Sequence, residues 1–167
     1  MPHNAPAGSA RIDSDAFRAH VVKTSMIFRC TKCGAFNNVK ADARGRTPIC
    51  GRCKQRLDLS GAPQEVSEAG FDAAIEASPI PVLVDFWAPW CGPCRMAAPV
   101  VDKLSRRRAG QLLVLKVNSD ESPRASQKNQ IQGIPALLLF RDGREVGRQV
   151  GLLPEAALDR WLSESAS

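Results

Sequence analysis

Six cysteines set as three Cys-x-x-Cys pairs constrain this chain more than any other feature: Cys30/Cys33, Cys50/Cys53 and Cys91/Cys94. At that spacing two sulfurs can close a local disulfide, form half of a metal site, or act as a redox dithiol. Compartment narrows the choice. Residues 1–25 contain no apolar core region and are interrupted by Asp13 and Asp15, so neither a secretory signal nor a transit peptide is expected. No run of eighteen apolar residues exists, so no membrane span is expected. The expected location is cytoplasmic, where such pairs point to metal binding or redox catalysis rather than structural bridges.

The 167 residues suffice for one ordinary domain and a small appendage. Residues 1–25 are small, polar and without apolar period, and are expected to form a disordered tail. Met26 precedes the first patterned segment, and one hypothesis is that translation begins there. Residues 26–59 hold four cysteines and few large apolar groups, so they need a staple to fold. The stretch Ser60-Gly61-Ala62-Pro63-Gln64 reads as a hinge into a larger domain over 60–167.

In that domain strands and helices alternate. A strand at 64–66 leads to a helix from Glu68 to Ala77 that Ser67 can cap. Residues 81–88 (PVLVDFWA) read as a strand buried on both faces. Residues 91–108 read as a helix with a kink expected at Pro99, and 111–118 (QLLVLKVN) as a second buried strand. Ser122-Pro123 signals a cap and a first-turn proline, opening a helix to Gln130. Residues 136–141 and 144–150 flank Asp142-Gly143, a hairpin signal, and 154–164 form a last amphipathic helix. The order βαβαβαββα predicts an α/β fold, a mixed central sheet with helices on both faces.

Cys91 stands where a buried strand gives way to a helix. Unpaired amides and the positive end of the helix dipole stabilise a thiolate there, so Cys91 is expected to attack first. Cys94, one turn further in, is expected to be more buried and to attack second. Gly92 is expected to permit a tight turn, and Pro93 suits the first helical turn. A half metal site is the competing reading, but it needs two more ligands, and both histidines (His3, His20) lie in the tail. Asp85 and Lys116 interrupt the two buried strands. A buried carboxylate is costly without a partner and has a raised pKa. Asp85 could take the proton from Cys94, with Lys116 tuning it. A structural ion pair or exposed strand positions explain the same two residues equally well. Pro135 opens a strand, a place that tolerates proline.

The pairs Cys30/Cys33 and Cys50/Cys53 are separated by 16 residues, the spacing of a four-cysteine zinc ribbon. Two such turns, eased by Gly34 and Gly51, can close a tetrahedron around one structural Zn2+. Local disulfides, or rubredoxin-like iron, fit the same spacing. Residues 1–60 carry 11 Lys/Arg against 4 Asp/Glu. Metal-bound thiolates offset part of that charge, and no aromatic stacking pattern accompanies it, which argues against a nucleic-acid partner.

Together the stretch 84–94 (VDFWAPWCGPC), Pro99, Lys116, Gly133-Ile134-Pro135, Asp142-Gly143 and Gly151 resemble the thioredoxin family over about Gln64–Leu162. The resemblance implies a thioredoxin fold in which Cys91 attacks a protein disulfide and Cys94 resolves the mixed disulfide. Asp85 would be the buried carboxylate assisting Cys94, with Lys116 its neighbour. Pro135 would be a cis-proline facing the pair. Trp90, Gly92, Pro93, Ile134, Pro135, Val150 and Gly151 would line the surface that meets protein substrates. It also implies re-reduction by an NADPH-dependent thioredoxin reductase, no bound organic cofactor, and a monomer. Ala136 and Arg95 depart from common family residues, which bears on substrate preference and not on the reaction. A basic ribbon before Trp-Cys-Gly-Pro-Cys is similar to the zinc-containing bacterial branch of the family, the thioredoxin 2 type. An oxidase or isomerase role is disfavoured by the Gly-Pro between the cysteines. A redox-sensing adaptor or holdase remains the alternative of a different class.

Overall fold

The computed structural model describes residues 25–40 and 47–165; most of the expected tail lies outside these. Two strands, β1 (Ser25–Arg29) and β2 (Phe36–Lys40), pair antiparallel and carry the first cysteine turn between them. The second turn lies between Ile49 and Arg56, which form an isolated bridge. This small unit has a modest core of Phe28, Val39 and Leu57 around the cysteines, in keeping with its few apolar residues.

The larger unit follows the expected order: β3 (Gln64–Glu65), α1 (Glu68–Ala77), β4 (Val82–Trp87), α2 (Gly92–Arg107), β5 (Leu113–Asn118), α3 (Pro123–Lys128), β6 (Ala136–Arg141), β7 (Arg144–Val150) and α4 (Glu155–Ser165). The sheet order is β3-β5-β4-β6-β7. The first three strands run parallel, while β6 and β7 pair antiparallel. Strand β4 is central, and its alternation splits the core in two. Val82, Val84 and Phe86 pack with Phe71, Ile75 and Ala125 of α1 and α3. Leu83 packs with Val101, Leu104, Leu158 and Leu162 of α2 and α4. Both faces are therefore covered by helices, which is why β4 reads as an almost unbroken apolar run.

Local signals held where the chemistry was local. Ser67 caps α1 by accepting from the Gly70 amide. Asp142 and Gly143 both take left-handed φ, 50° and 76°, the geometry of a tight hairpin turn. Helix α2 runs on through Pro99. Ser122 differs from expectation: it occupies the position before α3, but its side chain makes no capping bond. The first amides of α3 instead donate to Glu68 Oε1, Arg124 N at 2.6 Å and Ala125 N at 3.1 Å. A carboxylate borrowed from the start of α1 satisfies the orphan donors and complements the helix dipole. Glu68→Ala should therefore destabilise the fold by about 1–2 kcal/mol, the usual cost of a lost cap, read as a lower midpoint in denaturant unfolding.

The two units are docked. Ile27 N donates to Gly110 O at 2.9 Å. Arg29 and Gln64 exchange two bonds, Nη1 to Oε1 at 2.9 Å and Nε2 to the Arg29 carbonyl at 3.1 Å. Phe36 packs onto the core under α1 and α3.

Candidate active site and metal centre

Helix α2 begins one residue after Cys91, which is its N-cap residue. The Cys94 amide donates to Cys91 Sγ at 3.1 Å, so the sulfur occupies the place of a capping oxygen and faces the helix's unpaired amides. This is the geometry that favours a thiolate over a thiol. The two sulfurs form a disulfide, 2.08 Å long with Cα atoms 5.3 Å apart.

The expected difference in burial between the cysteines is not observed. Cys91 is 4% exposed and Cys94 5%, because in the disulfide each sulfur covers the other and both pack with Ala88, Trp87 and Ile134. What distinguishes them is the capping bond, not exposure. Nor does Gly92 serve a left-handed turn: its φ is not positive. A Cβ there would meet only the Arg95 guanidinium, at 4.0 Å. Pro93 lies exposed in the first helical turn.

The rim gathers most of the remaining expected residues. Trp90 is 68% exposed and Val150 55%. Ile134 packs on the cysteine pair, and the Ile134–Pro135 peptide is cis. The Gly151 amide donates to the Pro135 carbonyl at 2.8 Å and Val150 pairs with Ala136, which ties the end of β7 to the proline loop. Asp120 was not anticipated. Both its oxygens accept from Trp90 Nε1, at 3.0 and 3.3 Å, fixing the exposed indole. Thirty residues separate the two, and no local pattern announces the contact.

Asp85 is 2% exposed and its Oδ1 has no hydrogen-bond partner among the described residues. Burial raises its carboxyl to about 6, against a smaller opposing pull from the Lys116 charge. Lys116 is its register neighbour on β5, yet the two form no ion pair within 4.0 Å among the described residues. The Lys116 ammonium lies 4.4 Å from the Trp87 ring centroid instead, a cation–π contact. Neither the structural ion pair nor the exposed position describes Asp85. Its carboxyl borders an open groove of ≈ 580 Å³ shared with Lys116, Pro99, Asp102, Arg106 and Glu65, ample for the water that a proton relay requires.

The other four sulfurs converge. Cys30, Cys33, Cys50 and Cys53 place their Sγ atoms within 4.8 Å of one another. The pairs Cys30–Cys53 and Cys33–Cys50 are each 3.6 Å apart. A tetrahedron of thiolates about 2.3 Å from a zinc ion has edges of about 3.8 Å, so the donor set fits that metal. These two contacts run between the turns, and 3.6 Å is far beyond a disulfide bond. Both turns close alike, Gly34 N to Cys30 O at 2.9 Å and Lys54 N to Cys50 O at 3.0 Å. The residue in left-handed φ is Gly34 at 73° in the first and Lys54 at 60° in the second, so Gly51 does not serve the role expected of it. Amide bonds, chiefly from Cys53, pull the Cys50 thiol below its ordinary value, which favours the thiolate that binds metal.

Residues 62–164 match the family model "Thioredoxin". A thioredoxin of Synechocystis is 48% identical over 106 residues, covering 64% of this chain and 98% of that protein. A thioredoxin of Haemophilus influenzae is 40% identical over 99 residues, 59% of this chain and 92% of its own. Thioredoxin C-3 of Corynebacterium nephridii is 37% identical over 139 residues, 83% of this chain and 94% of its own. That last match is too long to lie wholly after residue 62, and so runs into the segment bearing the first four cysteines.

Proposed function

The chain belongs to the thioredoxin family, and from that premise we infer that it is a zinc-bearing cytoplasmic member, of the thioredoxin 2 type, recharged by an NADPH-dependent thioredoxin reductase. It is a thiol–disulfide oxidoreductase that reduces protein disulfides. The observation that carries the reaction is the sulfur of Cys91 held at the N-cap of α2 and bonded to Cys94.

The cycle follows from that arrangement. In the dithiol form the Cys91 thiolate attacks one sulfur of a target disulfide, and the other target sulfur leaves as a thiolate that takes a proton. Cys94 then loses its proton, for which Asp85 is the base, and attacks Cys91 Sγ. The mixed disulfide breaks, the second target sulfur leaves, and the Cys91–Cys94 disulfide remains. Two electrons have passed to the target, whose two sulfurs take up one proton released by Cys94 through Asp85 and one from solvent. Trp90, Gly92, Pro93, Ile134, Pro135, Val150 and Gly151 form the surface that receives the target chain, and Lys116 tunes Asp85 through its charge. The reductase returns the two electrons.

Residues 26–59 act as a zinc ribbon and 60–167 as the redox domain. Cys30, Cys33, Cys50 and Cys53 would hold one Zn2+ with no open position, so the ion supplies folding energy and not catalysis. Its support is the convergence of four sulfurs in a unit with little apolar core. The test is turnover of a disulfide substrate coupled to thioredoxin reductase and NADPH, with metal analysis of the same preparation. Sustained NADPH consumption and one zinc per chain are expected. Zinc without NADPH consumption would favour the adaptor or holdase.

A further inference from the structure

Asn37 belongs to neither cysteine turn, yet its side chain touches both. It lies on β2 next to Phe36, which is seated against the core of the redox domain. Its Oδ1 accepts from Gly51 N at 2.9 Å, inside the second turn. Its Nδ2 donates to the Ala35 carbonyl at 2.9 Å, just past the first turn, and lies 3.4 Å from Phe28 O. The same nitrogen is 3.7 Å from Cys50 Sγ. One amide thus uses its acceptor on one turn and its donors on the other turn's backbone and on a ligating sulfur. The two turns sit 16 residues apart in sequence, and between them residues 41–46 lie outside the described residues.

We propose that Asn37 is a positioning residue of the metal centre, which holds the Cys50–Cys53 turn in register with the Cys30–Cys33 turn and donates to the Cys50 sulfur. The inference rests on the zinc reading above. Two effects make the contact matter. Gathering four sulfurs before the ion arrives reduces the ordering that binding must otherwise supply. A bond from N–H to a metal-bound thiolate disperses charge on a centre that carries a net −2, four thiolates against one divalent ion, as outer partners do around other metal ligands. Charge dispersal also weakens the sulfur as a target for protons and oxidants.

The experiment uses the full chain, reduced, with zinc affinity read by competition against a chromophoric chelator and cobalt(II) as the spectroscopic probe. Asn37→Ala should weaken zinc binding 10–100-fold, the usual range for an outer-sphere partner. Asn37→Asp keeps an oxygen for the Gly51 amide but lacks the donor and brings a negative charge near the sulfur. It should lose at least as much, which a role confined to bracing the backbone would not produce. In both variants the thiolate-to-cobalt charge-transfer band should shift, because Cys50 sulfur loses its donor. Turnover through Cys91 reports that the redox domain remains folded. Affinities within twofold of wild type, with an unshifted band, would overturn the role of Asn37 alone. A wild-type chain with no tetrathiolate cobalt spectrum would overturn the metal reading and this inference with it.

Discussion

Cys94→Ser is expected to turn a catalyst into a trap. With the resolving sulfur gone, Cys91 can still attack a target disulfide, but the sulfur packed beside it that would break the new bond is missing. A stoichiometric mixed disulfide should accumulate, visible by intact mass and on non-reducing gels, while coupled turnover falls by about 10³-fold or more. Cys91→Ser should lose turnover as completely and give no adduct, since Cys94 sits inside the helix and lacks the capping bond that sets Cys91 apart. The assignment depends on that bond, because the two sulfurs are equally buried in the disulfide. An adduct in Cys91→Ser and none in Cys94→Ser would reverse the roles.

Asp85→Asn is expected to stabilise the fold and slow the chemistry together. The folded carboxyl titrates at about 6 against an ordinary value of 3.8, so the fold favours the neutral form. The group's stabilising share is fully present below the unfolded pKa. It is lost as pH rises through 3.8 toward 6, and the penalty is constant above. At 1.36 kcal/mol per unit the difference amounts to about 3 kcal/mol. Oxidised Asp85→Asn should exceed wild type by up to about that much in denaturant unfolding at pH 8, with the gap closing toward pH 4. Among the described residues Oδ1 has no hydrogen-bond partner, so no compensating bond from them offsets the cost. With the proposed base removed, resolution of the mixed disulfide should slow by about 10²-fold and lose its pH dependence near 6. Equal stabilities at pH 8 would mean that the carboxyl is solvated and not suited to the relay.

Much of this was legible before any coordinates. The unbroken apolar run of 81–88 announced a strand covered on both faces, and the two core layers around Leu83 and Val84 bear this out. Ser67 and Asp142-Gly143 were read correctly because cap and turn chemistry act across three or four residues. Ser122 misled for the complementary reason. Ser122 followed by Pro123 is a helix-start signal, but the competing acceptor on Glu68 comes from a helix more than fifty residues earlier. Gly51 misled similarly: the spacing of the turn is encoded by the cysteines, yet which residue takes left-handed φ is settled by how the turn closes, and that was Lys54.

The order of elements, the redox pair at the head of a helix and two further cysteine pairs at the spacing of a metal site are all written in the linear chain, because each depends on period or short separation. It took the packing of remote segments to rest Lys116 on Trp87 and leave Asp85 Oδ1 without a hydrogen-bond partner among the described residues, to fix Trp90 with Asp120, and to join the two cysteine turns through Asn37. In each of these a side chain chooses among several chemically suitable partners. That choice is made by distance once the sheet has brought remote strands into register, and distance is what a linear pattern does not carry.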